Sequence, residues 1–252
     1  MAKVLHKIDS THSLFQFTDG FSFGTDAVLL SGFIRCRKGQ VGVELGTGTG
    51  IIPLLLSIHK EFKKIYALEI QHDYALLAKE NLEYNGFSDK VEVIEGDLKN
   101  TKAHLPFSCD FVFTNPPYMG KDTGRENENE KKRIARHEVF CNIRDVCQAA
   151  ASLLQDGGNF YCVYRTQRLP ELFRAMEDVH LAPKDLVLVT PKPRSEPSLI
   201  LVRGVKGAKP GLMTRSPFVL QDDAGVRSAE ALLLYEKGTL VYGDEWKQRN
   251  RK

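Results

Sequence analysis

A glycine-rich turn between two apolar segments places the strongest constraint on how this chain can fold. Residues 41–45 are apolar and short enough for a buried strand, and residues 51–59 are apolar enough for a buried helix. Gly46, Gly48 and Gly50 lie between them. Glycines at such a position allow a tight turn and a close approach of the backbone to a ligand. The segment therefore predicts a strand–turn–helix unit with a ligand at the turn.

The rest of the chain repeats this alternation of strand and helix. We expect further strands at residues 64–70, 91–94, 110–114, 159–164, 185–189 and 199–202. Helices are expected at 73–84, with Asp73 as N-cap, and at 139–154, with a stop at residues 156–158. The last two strands are joined by a proline-rich link too short for a crossover helix, so they should be antiparallel. The predicted fold is α/β: a seven-stranded, mostly parallel Rossmann-like sheet with a C-terminal antiparallel hairpin and helices on both faces.

The glycine spacing distinguishes between nucleotide-like ligands. A dinucleotide fingerprint requires G-x-G-x-x-G, whereas this turn reads G-x-G-x-G. Glu44 stands two residues before the first glycine, where it would repel a pyrophosphate but would suit the cationic amino-acid end of S-adenosyl-L-methionine. We therefore predict that cofactor, held by Glu44, Gly46, Gly48 and Gly50.

Two more acids lie at the ends of predicted strands. Glu69 lies 23 residues after Gly46, where a carboxylate can accept both ribose hydroxyls of the cofactor. Asp97 follows the next strand and could accept from the adenine amino group; the alternative is a simple Asx-turn residue. Because ligands of doubly wound sheets bind at the carboxyl ends of the strands, both acids are candidate cofactor contacts.

The tetrapeptide Asn115-Pro116-Pro117-Tyr118 ends the fourth predicted strand. Two prolines fix the backbone and remove two N–H donors, which leaves the Asn115 side-chain oxygen and the Pro116 carbonyl as acceptors. Such a pair can hold the two N–H bonds of a planar amino group and direct its lone pair at a methyl donor, while Tyr118 offers a face for stacking a base. These four residues are the candidate catalytic residues, and Asn115 also lies beside the predicted cofactor.

With both motifs, residues 15–204 resemble the Rossmann-type amino-group methyltransferases, in which Asn-Pro-Pro-Tyr marks methylation of planar NH2 groups. The resemblance implies that Asn115, Pro116 and Tyr118 match the catalytic tetrapeptide. It likewise implies that Gly46 and Gly48 form the methionine-binding turn, Glu69 is the ribose acid, and Asp97 is the adenine contact.

The short segment before the glycine turn directs the substrate prediction. Residues 19–30 resemble the start of the bacterial valine-tRNA adenine-N6 methyltransferases, which modify the adenine beside the anticodon. In that family the segment folds over the cofactor, which makes Thr25 and Asp26 candidates for further cofactor contacts. The resemblance implies N6-methylation of an adenine in tRNA.

Basic residues near the predicted site are candidate RNA contacts. They are Arg125, Lys131, Lys132, Arg133, Arg136, Lys192 and Arg194, in segments that follow the fourth and sixth predicted strands. A solvated charged surface is the alternative, because glutamates are interleaved with the first five.

Other functions remain open. A glutamine-N5 protein methyltransferase would carry a helical domain ahead of the glycine turn, but only about 40 residues precede it here. Guanine-N2 enzymes of ribosomal RNA prefer phenylalanine where this chain has Tyr118. A non-catalytic RNA-binding protein would not need the tetrapeptide, and the glycine spacing disfavours a nicotinamide oxidoreductase.

Composition limits the remaining properties. The five cysteines form no CxxC pair, which disfavours a metal site and a disulfide framework and fits a reducing cytoplasm. A net charge of +3 permits a nucleic-acid partner, and no apolar stretch is long enough for a bilayer. We expect a monomer or weak homodimer. Residues 1–205 should form the methyltransferase domain with its N-terminal cap, and residues 206–252 a partly disordered extension.

Overall fold

The computed structural model describes residues 2–20, 24–116 and 141–241. Its strands are β1 (Lys3–Lys7), β2 (Ser13–Phe17), β3 (Val41–Leu45), β4 (Lys64–Glu69), β5 (Val91–Glu95), β6 (Cys109–Thr114), β7 (Leu154–Arg165), β8 (Leu181–Thr190), β9 (Leu199–Lys206), β10 (Met213–Thr214) and β11 (Phe218–Val219). Its α-helices are α1 (Thr25–Phe33), α2 (Ile51–His59), α3 (His72–Tyr84), α4 (Thr101–His104), α5 (Ile143–Leu153), α6 (Leu169–Glu177) and α7 (Ala229–Lys237). Among these described residues, no helix is long and apolar enough to cross a membrane.

The central sheet has nine strands in the order β10-β8-β9-β7-β6-β3-β4-β5, with β11 also paired to β8. Neighbouring strands from β5 to β7 are parallel, and β9 is antiparallel to both β7 and β8. The predicted α/β fold and its antiparallel pair are therefore confirmed. Strands β3 to β7 end at one edge of the sheet, which we call the carboxyl edge.

Helices cover both faces of this sheet, as expected. One core cluster joins α1, α2, α3 and α7 to alternate side chains of the strands, including Phe111, Phe113 and Val163. The other cluster joins α5 and α6 to the side chains on the opposite face of the strands, including Val112 and Cys162. The period-two alternation of each strand thus divides its side chains between two separate cores.

Three local predictions are wrong. The region before the glycine turn, where no strand is predicted, contains the antiparallel hairpin β1–β2. Helix α3 begins at His72, and its N-cap is Gln71, which lies two residues before the predicted N-cap Asp73. Residues 156–158, expected as a helix stop, lie inside β7, where the register with β6 shifts and Gly157 adopts φ +77°.

The segment after β9 continues the same structure. Strands β10 and β11 pair with β8, and α7 packs against α1. The contact between these helices is close at Gly32, where an added Cβ would lie 2.1 Å from Leu234 Cδ1. A larger residue at this position of α1 would therefore force the Leu234 side chain to move.

A fully buried amide, Asn81 of α3, joins the N-terminal hairpin to the glycine turn. Its Oδ1 accepts from the Phe15 N–H at 2.7 Å, and its Nδ2 donates to the carbonyls of Phe15 at 3.0 Å and Thr49 at 2.9 Å. Because the side chain is 0% exposed, water cannot replace these bonds.

Replacing Asn81 by leucine should lower the free energy of unfolding by about 3 kcal/mol, because it leaves several buried backbone groups without partners. Asn85→Ala, on the same helix, is the matched control: Asn85 bonds Ser13 in the same way but is only half-buried, so water can compensate. Urea unfolding followed by circular dichroism measures both. Equal losses in the two variants would contradict the role given to burial at Asn81.

Candidate functional site

The glycine turn lies at the carboxyl edge and is held by main-chain hydrogen bonds to the neighbouring strand. The N–H groups of Gly46 and Thr47 both donate to the Leu68 carbonyl, at 2.9 and 3.0 Å. Gly46, Gly48 and Gly50 have φ of +74°, +57° and +78°, in the left-handed region that favours glycine. The turn therefore requires glycine at all three positions for backbone reasons.

The three glycines differ in what surrounds them. A Cβ added to Gly46 or Gly48 would meet no atom within 4 Å, whereas one added to Gly50 would lie 3.2 Å from Ala78 Cβ. Gly46 and Gly48 thus border open space in which a ligand fits, while Gly50 allows α2 to pack against α3.

Glu69, the last residue of β4, is linked directly to this turn. Its Oε2 accepts from the Gly48 N–H at 2.8 Å, and its Oε1 accepts from the Gln71 N–H at 3.0 Å. The carboxylate is therefore fixed in orientation beside Gly48, at the position predicted for the ribose acid. Only 4% of Glu69 is exposed.

Glu44, the predicted partner of a cationic group, is buried beneath the turn. Burial raises the pKa of its carboxyl well above the ordinary value; the hydrogen bond donated by the Thr47 hydroxyl opposes this, and the nearby Glu69 carboxylate raises the pKa further. A cation placed close to Glu44 would favour the ionised carboxylate. The glycine pattern of the turn does not reveal Thr47 as a residue of the site.

Asp97 follows β5 and the conformationally constrained Gly96. Its Oδ1 accepts from the Lys99 N–H at 2.9 Å and caps a short 3-10 turn, which is the Asx-turn alternative. An added Cβ at Gly96 would lie 2.6 Å from His104 Nε2, so an imidazole packs directly against the strand end. The turn and a ligand contact are compatible, because a carboxylate has further acceptor positions.

Cys141 is a second residue that sequence reasoning missed. Burial raises the pKa of its thiol to about 11, and the carboxylates of Asp145, Asp97 and Glu69 lie close enough to contribute. Cys141, the first described residue after Pro116, thus lies beside the candidate cofactor residues. The next residue, Asn142, caps α5 in a capping box with Asp145.

The start of the catalytic tetrapeptide lies beside the glycine turn. The Thr114 hydroxyl donates to the Leu45 carbonyl at 2.9 Å, which joins the end of β6 to the end of β3. Asn115 is half-buried and Pro116 is buried. Pro117 and Tyr118 lie outside the described residues.

Thr25 and Asp26 occupy the first turn of α1. At the other end of this helix, Nζ of the half-buried Lys60 donates to the carbonyls of Ser31 at 2.5 Å and Ile34, and Lys60 is also the C-cap of α2. The C-terminal ends of α1 and α2 therefore meet at Lys60, and Thr25 and Asp26 lie at the opposite, N-terminal end of α1.

Of the candidate RNA-binding residues, the structure describes Lys192 and Arg194, both in the link between β8 and β9. Lys192 Nζ donates to the Asp223 carbonyl at 3.2 Å, and Arg194 is exposed. Arg125, Lys131, Lys132, Arg133 and Arg136 lie outside the described residues. Within residues 2–20, 24–116 and 141–241, no three His, Cys, Asp or Glu side chains are grouped to hold a metal ion.

A family model and named relatives, all of them methyltransferases, match this chain. The model of the methyltransferase small domain family matches residues 18–182. Proteins named tRNA1(Val) (adenine(37)-N6)-methyltransferase are similar to the chain: one from Parabacteroides distasonis is 27% identical over 71% of this chain and 74% of its own length. Another, from Bacteroides thetaiotaomicron, is 29% identical over 71% of this chain and 74% of its own length.

Solved structures support the fold. The crystal structure of a predicted O-methyltransferase from Agrobacterium tumefaciens matches 86% of this chain and 98% of its own with a TM-score of 0.70. Its sequence identity is 20%, so this likeness concerns the architecture alone.

Replacing Gly48 by alanine should weaken binding of S-adenosyl-L-methionine at least tenfold, because the methyl group enters the open space beside the turn. Gly86→Ala is the matched control: Gly86 also has a positive φ, of +75°, and open space around it, but it follows α3. Both variants should lose about 1 kcal/mol of stability from backbone strain. Calorimetric titration that shows equal affinity for the two would contradict a ligand at Gly48.

The pH dependence of cofactor binding should reflect the ionisation of the Glu44 carboxyl. Since its pKa is raised, the carboxyl holds a proton at pH values above its ordinary titration range, and a cationic ligand must displace that proton. Affinity for S-adenosyl-L-methionine should therefore rise with pH above the ordinary titration range of a glutamic acid in the wild type and be flat in Glu44→Gln. Titrations in buffers of different ionisation enthalpy should show proton release on binding in the wild type only; equal proton release in both would refute this role.

Proposed function

The chain belongs to the methyltransferase small domain family, and from this we propose that it transfers a methyl group to N6 of an adenine in tRNA. As a member of the family, it is an enzyme that uses S-adenosyl-L-methionine as methyl donor and acts as an N-methyltransferase. The adenine acceptor and the tRNA substrate are the proposed parts.

The observation that carries the proposal is the position of Asn115-Pro116 beside the glycine turn. The hydrogen bond between Thr114 and the Leu45 carbonyl brings the strand end that bears the acceptor pair next to Gly46. Acceptors at this place suit a substrate group that has two N–H bonds to donate, such as an exocyclic amino group.

The residues of the turn fit the cofactor. Gly46 and Gly48 border open space, and Glu69 offers a fixed carboxylate for a diol. Glu44 and Thr47 would face its cationic amino-acid part, and Asp97 its adenine. When bound, the cofactor supplies an electrophilic methyl group on a sulfonium.

The contribution of Asn115 and Pro116 is positioning. The lone pair of an aromatic amino nitrogen is delocalised into the ring, which makes it a poor nucleophile. The Asn115 side-chain oxygen and the Pro116 carbonyl would accept its two N–H bonds, favour a pyramidal nitrogen and orient its lone pair towards the donor. The methylated nitrogen loses a proton readily, so these acceptors need no strong base beside them.

The tRNA substrate is supported by the relatives. The two similar proteins from Parabacteroides distasonis and Bacteroides thetaiotaomicron are named as tRNA adenine-N6 methyltransferases and share about three quarters of their length with this chain. Residues 19–30 also resemble the start of that family.

Asn115→Ala should lower the methyltransferase rate constant on unmodified tRNA by about 10²- to 10³-fold, because one of the two acceptors that orient the amino group is lost. Its affinity for S-adenosyl-L-methionine should fall less than the rate. Asn85→Ala, remote from the tetrapeptide, should keep wild-type activity. The measurement is mass spectrometry of nucleosides from tRNA treated with each protein, with N6-methyladenosine as the product.

Two outcomes would contradict the proposal. Methylation of guanine in ribosomal RNA or of a protein glutamine, with tRNA unmodified, would assign another acceptor. Full activity of the Asn115→Ala variant would show that the tetrapeptide does not position the substrate.

A further inference from the structure

We propose that His104, the last residue of α4, donates a hydrogen bond to the adenine ring of S-adenosyl-L-methionine and helps the enzyme to select that base. The inference rests on the proposed function in one respect: the adenine of the cofactor is placed at Asp97. It does not depend on the nature of the methyl acceptor. His104 belongs to none of the motifs that the sequence displays.

The structure fixes the position of the His104 ring through its contact with Gly96. A Cβ built on Gly96 would lie 2.6 Å from Nε2 of His104 and 2.7 Å from both Cδ2 and Cε1. The end of the imidazole that carries Nε2 therefore packs directly against the main chain of Gly96, in the place where any other residue would have its side chain.

Gly96 lies between the residues predicted to hold the ribose and the adenine. Its N–H donates to the Glu69 carbonyl at 2.9 Å, which joins the end of β5 to the end of β4, and Asp97 is the next residue along the chain. The imidazole of His104 is therefore beside the ends of both strands, at the carboxyl edge of the sheet.

An apolar side chain lies next to the imidazole on the same face of the sheet. Glu69 is paired with Glu95, so Ile70 is level with Gly96 on a neighbouring strand about 4.8 Å away. Leu68 and Ile94, two residues earlier on each strand, both belong to the core cluster under α5 and α6, so the alternation directs Ile70 and the Gly96 site to that face. Ile70 is 36% exposed and offers a surface on which a planar base can lie.

The helix that carries His104 is held firmly, while the imidazole keeps its hydrogen-bonding capacity. The Thr101 and Ser152 hydroxyls are 3.1 Å apart, which joins α4 to α5, and Leu105 is buried in the core. His104 itself is half-buried, and within the described part of the chain neither of its ring nitrogens has a hydrogen-bond partner. The other histidine at this edge, His72, is bonded to Glu95 at 2.8 Å.

An acceptor at Asp97 and a donor at His104 together match an edge of adenine. The amino group of adenine donates, and the ring nitrogens N1 and N7 on either side of it accept. A carboxylate can only accept, whereas a neutral imidazole carries one N–H donor. Guanine presents a carbonyl oxygen where adenine has its amino group, so Asp97 would repel it. The pair therefore selects adenine over guanine.

The test uses a variant that keeps the ring but removes its nitrogens. His104→Phe should weaken binding of S-adenosyl-L-methionine about fivefold to tenfold, the loss expected for one hydrogen bond, with a melting temperature close to that of the wild type. His6→Phe is the matched control: His6 is also half-buried, but it lies in the hairpin near the C-terminal end of α3, away from the carboxyl edge. Its affinity should equal that of the wild type in calorimetric titration.

Cofactor analogues separate a hydrogen bond from simple packing. In two analogues of S-adenosyl-L-homocysteine, N1 or N7 of the adenine is replaced by a C–H group. The wild type should bind at least one of them about fivefold to tenfold more weakly than the parent compound. This difference should disappear in His104→Phe. It should also disappear in Gly96→Ala, because the added methyl group displaces the imidazole while His104 remains.

Each other outcome overturns the inference or its premise. Wild-type affinity in His104→Phe, or equal binding of the parent compound and both analogues by the wild type, would show that His104 makes no bond to the base. Weaker binding by His104→Phe with the discrimination between analogues retained would assign His104 a packing role only. If Asp97→Ala binds S-adenosyl-L-methionine as the wild type does, the adenine is not at Asp97, and the position given to the cofactor in the proposed function fails.

Discussion

The hydrogen bond from the Gly48 N–H to the Glu69 carboxylate is the interaction on which the site depends. It connects the end of β4 to the turn between β3 and α2, and the bonds from Gly46 and Thr47 to the Leu68 carbonyl act at the same junction. A carboxylate held by main-chain donors keeps one orientation without a ligand. The open space beside Gly46 and Gly48 therefore has a defined acidic wall.

Support for this junction comes from buried polar groups rather than from apolar packing alone. Asn81 joins the hairpin β1–β2 to the glycine turn through three hydrogen bonds, and Thr114 joins β6 to β3. Such bonds are directional, so they determine the positions of strand ends more sharply than hydrophobic contacts can. The cost of burying these groups is offset only when every bond is made.

The same arrangement creates an electrostatic conflict. Binding a cationic cofactor favours acids around the glycine turn, whereas an RNA acceptor favours cations nearby. Glu44 lies near the end of β3, Glu69 ends β4 and Asp97 follows β5, and these three strands are all on one side of β6 in the sheet. The acceptor pair that follows β6 thus has the acids on one side only.

The sequence by itself determined the α/β fold with its antiparallel hairpin, and the glycine turn with Glu44, Glu69 and Asn115 at the strand ends. These follow from local patterns: apolar periodicity, glycine spacing and proline pairs depend on neighbours along the chain. Helix α2 was predicted with its observed bounds, because Gly50 and the apolar run after it leave little freedom. The glycine spacing and Glu44 indicated the methyl donor, and the family resemblance added the expected adenine acceptor in tRNA.

Only the tertiary structure decided which distant residues meet. The hairpin β1–β2 escaped prediction because it is stabilised by Asn81 and Asn85, more than 60 residues away. Residues 156–158 form an irregularity inside β7, between the paired positions Cys109–Leu154 and Phe111–Asn159, so a local turn preference is accommodated within one long strand. The approach of Cys141 to Asp97 and the bond from Thr114 to the Leu45 carbonyl depend on the register of the strands and on the path of the chain between them. Neither the register of the strands nor the path of the chain between them is encoded in any single stretch of sequence.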